Sequence, residues 1–125
     1  MPAPSDRRYS ASHEWHQQDG DIVTLGITRH AVDELTDITY VDLPAPGKKL
    51  EAGKRFGEIE SVKATAELYT SVSGEVLAAN PALKDDPSLV NADPYGKGWM
   101  IKVKAPGANL DALMSADQYS ARHGG

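Results

Sequence analysis

The sequence has no cysteine, no long apolar run and no excess of positive charge. Without cysteine the chain cannot form structural disulfides, thiolate metal sites or a cysteine nucleophile, so any thiol or redox chemistry must come from a bound cofactor. No apolar segment approaches the roughly 20 residues that cross a bilayer, and the N-terminus lacks the apolar stretch of a secretion signal. These absences predict a cytoplasmic protein without a membrane partner.

The formal net charge is -5, from 13 basic and 18 acidic side chains. Such a charge repels phosphate backbones at long range, so nucleic acid is not an expected partner. A length of 125 residues fits one small domain rather than a multistep enzyme. We expect a flexible N-terminal segment over residues 1–8, a single domain over residues 9–125, and a monomer.

Eight prolines and eleven glycines separate short apolar runs, which is typical of many short strands joined by turns. Asp19-Gly20 predicts a type I′ hairpin between strands over residues 9–18 and 22–27. Residues 29–35 predict a short helix, and residues 99–103 a final strand. The pattern favours an all-β fold with minor helices, a small β-sandwich or flattened barrel. Its expected core comprises Trp15, Val23, Leu25, Ile27, Val41, Leu43, Ile59, Leu68, Val76, Trp99, Ile101 and Val103.

The pattern changes after residue 107, where Leu110, Leu113 and Met114 follow a helical spacing. Ser115 and Gln118 match a capping box, which starts a helix. We therefore predict a helical C-terminal appendage over about residues 108–123.

Lys63 lies at the predicted tip of a hairpin, in the segment Glu60-Ser61-Val62-Lys63-Ala64. Gly57 precedes the lysine by six positions and Gly74 follows it by eleven, an arrangement that resembles the lipoyl-attachment motif. The glycines are expected at bends, where they tolerate backbone angles that a Cβ would block. On this short motif alone, a lysine between two strands is equally well an ordinary solvated turn residue.

Further motifs resemble, in the same order, the H protein of the glycine cleavage system over about residues 9–119. They are His13-Glu14-Trp15, Gly26-Ile27-Thr28, His30-Ala31, Val41-Asp42-Leu43-Pro44, Ser73-Gly74-Glu75-Val76, Leu89-Val90-Asn91, Asp93-Pro94-Tyr95-Gly96 and Gly98-Trp99-Met100. The resemblance implies a non-catalytic carrier with the lipoyl-domain fold, a barrel-sandwich hybrid. It also implies lipoate in amide linkage on Lys63.

The resemblance implies four kinds of partner. A pyridoxal-phosphate glycine decarboxylase loads a methylamine group onto the lipoyl arm, and an aminomethyltransferase passes its carbon to tetrahydrofolate. A flavin dihydrolipoamide dehydrogenase reoxidises the dithiol, and a lipoate ligase or lipoyl transferase attaches the group. A tether of this kind raises the local concentration of the arm at each docked active site.

The resemblance further implies a cleft that shelters the cationic amine from water. We call Ser12, Glu14, His30 and Glu67 the candidate cleft, with Glu14 and Glu67 the expected partners of the ammonium group. For both glutamates the alternative is a solvated charge on an exposed strand face, and for His30 a surface or partly packed imidazole. Arg29 and Thr36-Asp37 depart from the family pattern, which leaves the cleft entrance and the docking of partners open.

Other functions fit the sequence less well. An H-like protein that relays lipoyl groups to other acceptors is not separable from the glycine cleavage role by sequence. The lipoyl domain of a 2-oxoacid dehydrogenase usually has an aspartate before the lysine, and a biotin carrier usually has methionines where Val62 and Ala64 stand. A hydrolase lacks the Gly-x-Ser-x-Gly segment. A zinc site is disfavoured because His13 and His16 on one strand point to opposite faces.

Overall fold

The structure, a computed structural model, describes residues 4–123 as two antiparallel sheets with short helices. The strands are β1 Arg8–Tyr9, β2 Glu14–Asp19, β3 Ile22–Ile27, β4 Ile38–Asp42, β5 Lys49–Leu50, β6 Arg55–Ser61, β7 Thr65–Tyr69, β8 Gly74–Ala79 and β9 Ile101–Lys104. The helices are α1 Arg29–Leu35, α2 Ala82–Asp85, α3 Leu89–Ala92 and α4 Ala116–His123. The six-stranded sheet has the order β1-β2-β3-β9-β8-β5, and the three-stranded sheet β4-β6-β7. This is the predicted barrel-sandwich architecture with minor helices.

Each of the strands β3 to β9 contributes buried apolar residues to the main core. Ten of the twelve expected core residues are buried. Leu43 and Trp99 are only partly buried, which corrects the prediction for these two. Leu43 lies beyond the end of β4, and the Trp99 ring lies under the exposed Lys102, whose Nζ is 5.2 Å from the ring centroid.

A second buried cluster joins the two ends of the chain. Tyr9, Trp15, Ala116 and Tyr119 form it, and of these only Trp15 was expected in the core. Trp15 donates from Nε1 to the carbonyl of Pro94 at 3.0 Å, which satisfies its polar atom inside the cluster. The cluster fastens the C-terminal helix α4 to the six-stranded sheet.

The first hairpin differs from the prediction in two ways. Its loop is Gly20-Asp21, and only Gly20 has a positive φ, of 62°. A positive φ at the first loop position alone is the pattern of a type II′ turn, so the predicted type I′ turn is wrong. The predicted strand over residues 9–18 is also broken, because the chain reverses between β1 and β2 and pairs Tyr9 with Trp15.

The C-terminal appendage is helical only in its second half. Helix α4 begins at Ala116, and the capping box is confirmed: Ser115 N–H donates to Gln118 Oε1 at 2.9 Å, and Gln118 N–H to Ser115 Oγ at 3.3 Å. The predicted helix over residues 108–115 is wrong. There the backbone of Met114 pairs with Tyr9 as an isolated bridge, and an extended bridge excludes helical hydrogen bonds at that position.

Part of the predicted flexible segment lies in the fold. Residues 1–3 are outside the described residues, but Arg8 forms a strand pair with His16. Arg7 places its guanidinium 4.5 Å from the centroid of the Trp15 ring and donates to the carbonyl of Tyr95 at 2.9 Å. The domain therefore begins before residue 9. Within residues 4–123 no helix has the length and apolar character needed to span a membrane.

Candidate functional site

Lys63 stands at the tip of the hairpin between β6 and β7, as predicted. Its side chain is exposed, as is that of Val62, which is 69% exposed. Ser61 shapes the turn: its Oγ accepts from the backbone N–H of Lys63 at 3.2 Å and of Ala64 at 3.0 Å, and donates to the Ala64 carbonyl at 3.1 Å. The tip is thus a hydrogen-bonded turn that presents one lysine to solvent.

The two motif glycines allow close approach of neighbouring strands. A Cβ on Gly57 would lie 2.3 Å from the carbonyl oxygen of Asp42, and one on Gly74 would lie 2.2 Å from that of Lys104. Neither glycine has a positive φ. The expectation that they serve unusual backbone angles is therefore wrong, and steric room against backbone explains them instead.

Lys63 reaches toward helix α1. Its Nζ donates to the carbonyl oxygen of Glu34 at 3.2 Å. Helix α1 begins after Thr28, whose Oγ1 accepts from the N–H of Ala31 at 3.2 Å as an N-cap. The same helix carries His30, whose Nε2 lies 3.1 Å from Oε1 of Glu34. The arm lysine and His30 therefore share one neighbour.

Glu14 is buried, with 1% of its surface exposed, so the expected alternative of a solvated surface charge is wrong for it. Its Oε1 accepts from Ser10 Oγ at 2.7 Å and from Ser12 Oγ at 2.5 Å, and its Oε2 accepts from the N–H of Tyr69 at 3.2 Å. Burial raises the pKa of Glu14, and the hydrogen bonds from Ser10, Ser12 and Tyr69 lower it in part. Ser12 itself is exposed, so it covers this carboxylate at the surface.

Glu67 lies on the exposed face of β7, where a solvated charge was the alternative interpretation. Tyr69 O–H donates to its Oε2 at 2.5 Å, and Arg55 Nε lies 3.9 Å from its Oε1. Tyr69 was missed by sequence reasoning, although it shares the face of Glu67 at i, i+2. With its N–H on Glu14 and its hydroxyl on Glu67, it connects the two predicted carboxylates.

His13 connects the rest of the candidate cleft and was not predicted for it. Its ring centroid lies 4.7 Å from that of His30, and it stands in the chain between Ser12 and Glu14. The contacts run from Lys63 to the Glu34 carbonyl, from the Glu34 carboxylate to His30, and from His30 to His13. The structure thus brings Ser12, Glu14 and His30 together around His13, and joins Glu67 through Tyr69.

His16 is a second buried polar residue that sequence reasoning missed as a site feature. It is 0% exposed, and its Nε2 accepts from the N–H of Ser71 at 3.1 Å. Burial lowers the pKa of His16 to about 4. Among the described residues, no group of three or more His, Cys, Asp or Glu side chains is placed to hold a metal ion.

Comparisons with known proteins agree on one family. Residues 7–123 match the family model described as "Glycine cleavage H-protein". A "Probable glycine cleavage system H protein" of Natronomonas pharaonis is 52% identical over 119 residues, covering 95% of this chain and 94% of that protein. A "Glycine cleavage system H protein" of Bacteroides fragilis is 48% identical over 122 residues, covering 97% of each. The crystal structure of a glycine cleavage system H protein from Mycobacterium marinum matches with a TM-score of 0.90 and 38% identity, covering 98% of this chain and 99% of that one.

Proposed function

The chain belongs to the glycine cleavage H-protein family, and from this membership we infer that Lys63 holds the lipoyl group of a glycine cleavage carrier. The observation that supports the assignment is the position of Lys63, exposed at a hydrogen-bonded hairpin tip and linked through Glu34 and His30 to His13, the residue that precedes the buried Glu14. When bound, the lipoyl group supplies a dithiolane that carries the methylamine group of glycine from one enzyme to the next.

The residues around Lys63 fit such a group. Acylation would remove the charge of the lysine but leave one N–H on Nζ, which is enough to keep the bond to the Glu34 carbonyl. The exposed Val62 beside it offers an apolar surface to a hydrocarbon chain. Removal of the charge therefore breaks no ion pair of Lys63 in the described part of the chain.

The candidate cleft fits an ammonium cation. A carboxylate offers about four lone-pair sites, and three donors occupy Glu14: Ser10, Ser12 and the N–H of Tyr69. By this count one lone pair on Oε2 has no donor among the described residues, and we propose that the cation binds there. Because Ser12 is exposed and Glu14 is buried beneath it, rotation of the Ser12 hydroxyl is a small movement that opens Oε1 as well. A charge-assisted bond in such a dry site is stronger than one in water.

The chain acts as a component that other glycine cleavage proteins use, and we assign it no catalytic residue of its own. The proposed partners are the decarboxylase, the aminomethyltransferase and the dihydrolipoamide dehydrogenase, together with a ligase or transferase that attaches lipoate. We place the carrier in the cytoplasm with these enzymes. The acidic balance of the chain, with a net charge of -5, favours docking to basic surfaces of such partners.

A loading experiment tests this function. The lipoylated protein and its Lys63→Arg and Lys54→Arg variants are incubated with the decarboxylase and ¹³C-labelled glycine, and intact mass reports the labelled methylamine. Parent and Lys54→Arg should gain it, whereas Lys63→Arg should not, because Lys54 is an exposed lysine away from the tip. A lipoylated parent that is never loaded, but passes lipoyl groups to other acceptors, would establish the relay function instead.

A further inference from the structure

Two buried tyrosines stack on each other near the candidate cleft but direct their hydroxyls to different places. Tyr9 and Tyr119 are both 0% exposed, with ring centroids 4.8 Å apart and planes at 23°. Tyr9 donates its hydroxyl hydrogen to the carbonyl of Pro4 at 2.5 Å. The hydroxyl oxygen of Tyr119 lies 2.7 Å from His13 Nδ1 and 2.7 Å from Thr28 Oγ1. The C-terminal helix therefore reaches the cleft region through Tyr119.

His13 is the residue on which the geometry of the cleft depends. Its φ of 74° is unusual for a residue with a side chain, and such backbone persists only where the surroundings hold it. It separates Ser12 from Glu14, so its backbone angle determines whether the Ser12 hydroxyl can reach the Glu14 carboxylate. Its ring also packs against His30. A rotation of His13 would displace three members of the candidate cleft.

The hydroxyl of Thr28 can donate to Tyr119. Its Oγ1 accepts from the N–H of Ala31 as the N-cap of α1, and a hydroxyl that accepts one hydrogen bond still has its own hydrogen to donate, here to the oxygen of Tyr119. In that arrangement the hydrogen of Tyr119 is directed to Nδ1 of His13. Burial raises the pKa of Tyr119 to about 12, so the hydroxyl keeps that hydrogen at neutral pH.

We propose that Tyr119 is a positioning residue for the candidate cleft: its hydroxyl donates to Nδ1 of His13 and holds the backbone and ring of His13 in place. This inference rests on the proposed function. It gives helix α4 a role in how long the cationic amine stays protected from water. The role is separate from the contribution of the tyrosine ring to packing, since the ring faces Tyr9 and the hydroxyl faces His13.

The test compares Tyr119→Phe with Tyr9→Phe, which removes an equally buried hydroxyl from the same ring pair on the side away from His13. Lipoylated proteins are loaded with the decarboxylase and glycine, freed of the enzyme, and followed for formaldehyde and ammonia release, with thermal melts in parallel. Loss of one neutral hydrogen bond corresponds to about a two- to tenfold change, so Tyr119→Phe should release that much faster than the parent. Tyr9→Phe should release at the parental rate, even if its melting temperature falls as far as that of Tyr119→Phe.

A spectroscopic measurement on the unloaded parent is independent of release. ¹⁵N NMR of the imidazoles, at a pH where free histidine is neutral, should show His13 with Nδ1 unprotonated and Nε2 protonated. Because neutral histidine prefers this tautomer in any case, the variants are compared by the ¹⁵N shift of Nδ1, which should move toward that of a nitrogen without a hydroxyl donor in Tyr119→Phe and stay parental in Tyr9→Phe. A protonated Nδ1 in the parent would overturn the inference. This measurement needs no variant, so the inference can be tested even if Tyr119→Phe fails to fold.

The release rates distinguish a failure of this inference from a failure of the proposed function on which it rests. If the parent releases formaldehyde and ammonia more slowly than loaded dihydrolipoamide in solution, and the two tyrosine variants release them at equal rates, only the role of Tyr119 is overturned. A parent that releases as fast as loaded dihydrolipoamide free in solution would overturn the protective cleft, and the role of Tyr119 with it.

Discussion

Oε2 of Glu14 accepts a hydrogen bond from the backbone N–H of Tyr69, so a side chain of the six-stranded sheet closes a gap to the three-stranded sheet. Two residues further along each segment, Nε2 of His16 accepts from the N–H of Ser71. The two side chains thus take the place of strand carbonyls along residues 69–71. This arrangement satisfies backbone donors where the chain leaves β7, and it fixes the carboxylate of the candidate cleft.

Lipoylation should be confined to Lys63. Protein from a lipoylation-competent host is digested, and mass spectrometry should place the adduct on the peptide that contains this residue. Exposed lysines such as Lys48 and Lys54 serve as internal controls, because they are accessible but lack the hairpin tip. An adduct on either of them would contradict the assignment.

Ser61→Ala should slow lipoylation without a large loss of stability. Its hydroxyl orders the turn through the N–H groups of Lys63 and Ala64, and a ligase that reads local shape needs that order. The exposed site leads us to expect a destabilisation of about 0.5–1.5 kcal/mol. Initial modification rates should fall in Ser61→Ala and stay parental in Thr39→Ala, which removes another exposed hydroxyl from the same sheet. Equal rates would show that Ser61 is not part of recognition.

Glu14→Gln should shorten the time for which the loaded arm is protected. A charge-assisted hydrogen bond to a cation is worth roughly 1.5–3 kcal/mol, or about a ten- to hundredfold change in release rate. Stability should change little, since the amide oxygen still accepts from Tyr69 and one buried charge is removed.

The control for Glu14→Gln is Glu75→Gln, which neutralises an exposed carboxylate on β8, outside the candidate cleft. Formaldehyde and ammonia release is followed from both loaded variants. Parental release from Glu14→Gln would leave Ser12, His30 and Glu67 as the remaining candidates.

Acid should destabilise the protein through His16. Its folded pKa is about 4 against 6.5 for the free side chain, so the unfolded chain binds more protons between these values. Its contribution is complete above about pH 6.5 and is lost as the pH falls toward 4, by about 3 kcal/mol in total. Glu14, whose pKa is raised, acts in the opposite direction just above 4.5, because there the folded state binds the extra proton.

His16→Gln isolates this effect, because glutamine keeps an acceptor for Ser71 but does not titrate. Denaturant melts of both proteins are measured from pH 7.5 to 4, and the difference in unfolding free energy should change with pH in the stated direction. A difference that is independent of pH would contradict the role of His16.

Ile101→Ala should destabilise the fold by roughly 2–5 kcal/mol, because Ile101 is 0% exposed in the main core. Lys104 is exposed on the other face of β9, so Lys104→Ala should stay within about 0.5 kcal/mol of the parent. Denaturant melts measure both. A loss below about 1 kcal/mol in Ile101→Ala would show that the site is not tightly packed.

The sequence alone determined the features that depend on near neighbours in the chain. The hairpin tip at Lys63, helix α1 and the capping box of Ser115 and Gln118 were all predicted, because alternation, a short helical spacing and a three-residue cap are local patterns. The same reasoning failed for residues 108–115, where the helical spacing of Leu110 and Met114 was overridden by pairing with Tyr9.

Only the tertiary structure decided which polar residues are buried. Nothing near Glu14 or His16 in the chain distinguishes a strand face in water from one that meets the N–H groups of Tyr69 and Ser71, 55 positions away. In the sequence, Tyr119 likewise has the pattern of an ordinary helix residue. Only the structure shows that its hydroxyl contacts His13, 106 positions away. Local patterns report which face a residue occupies, whereas the partner that satisfies a buried polar group is chosen by the packing of distant segments.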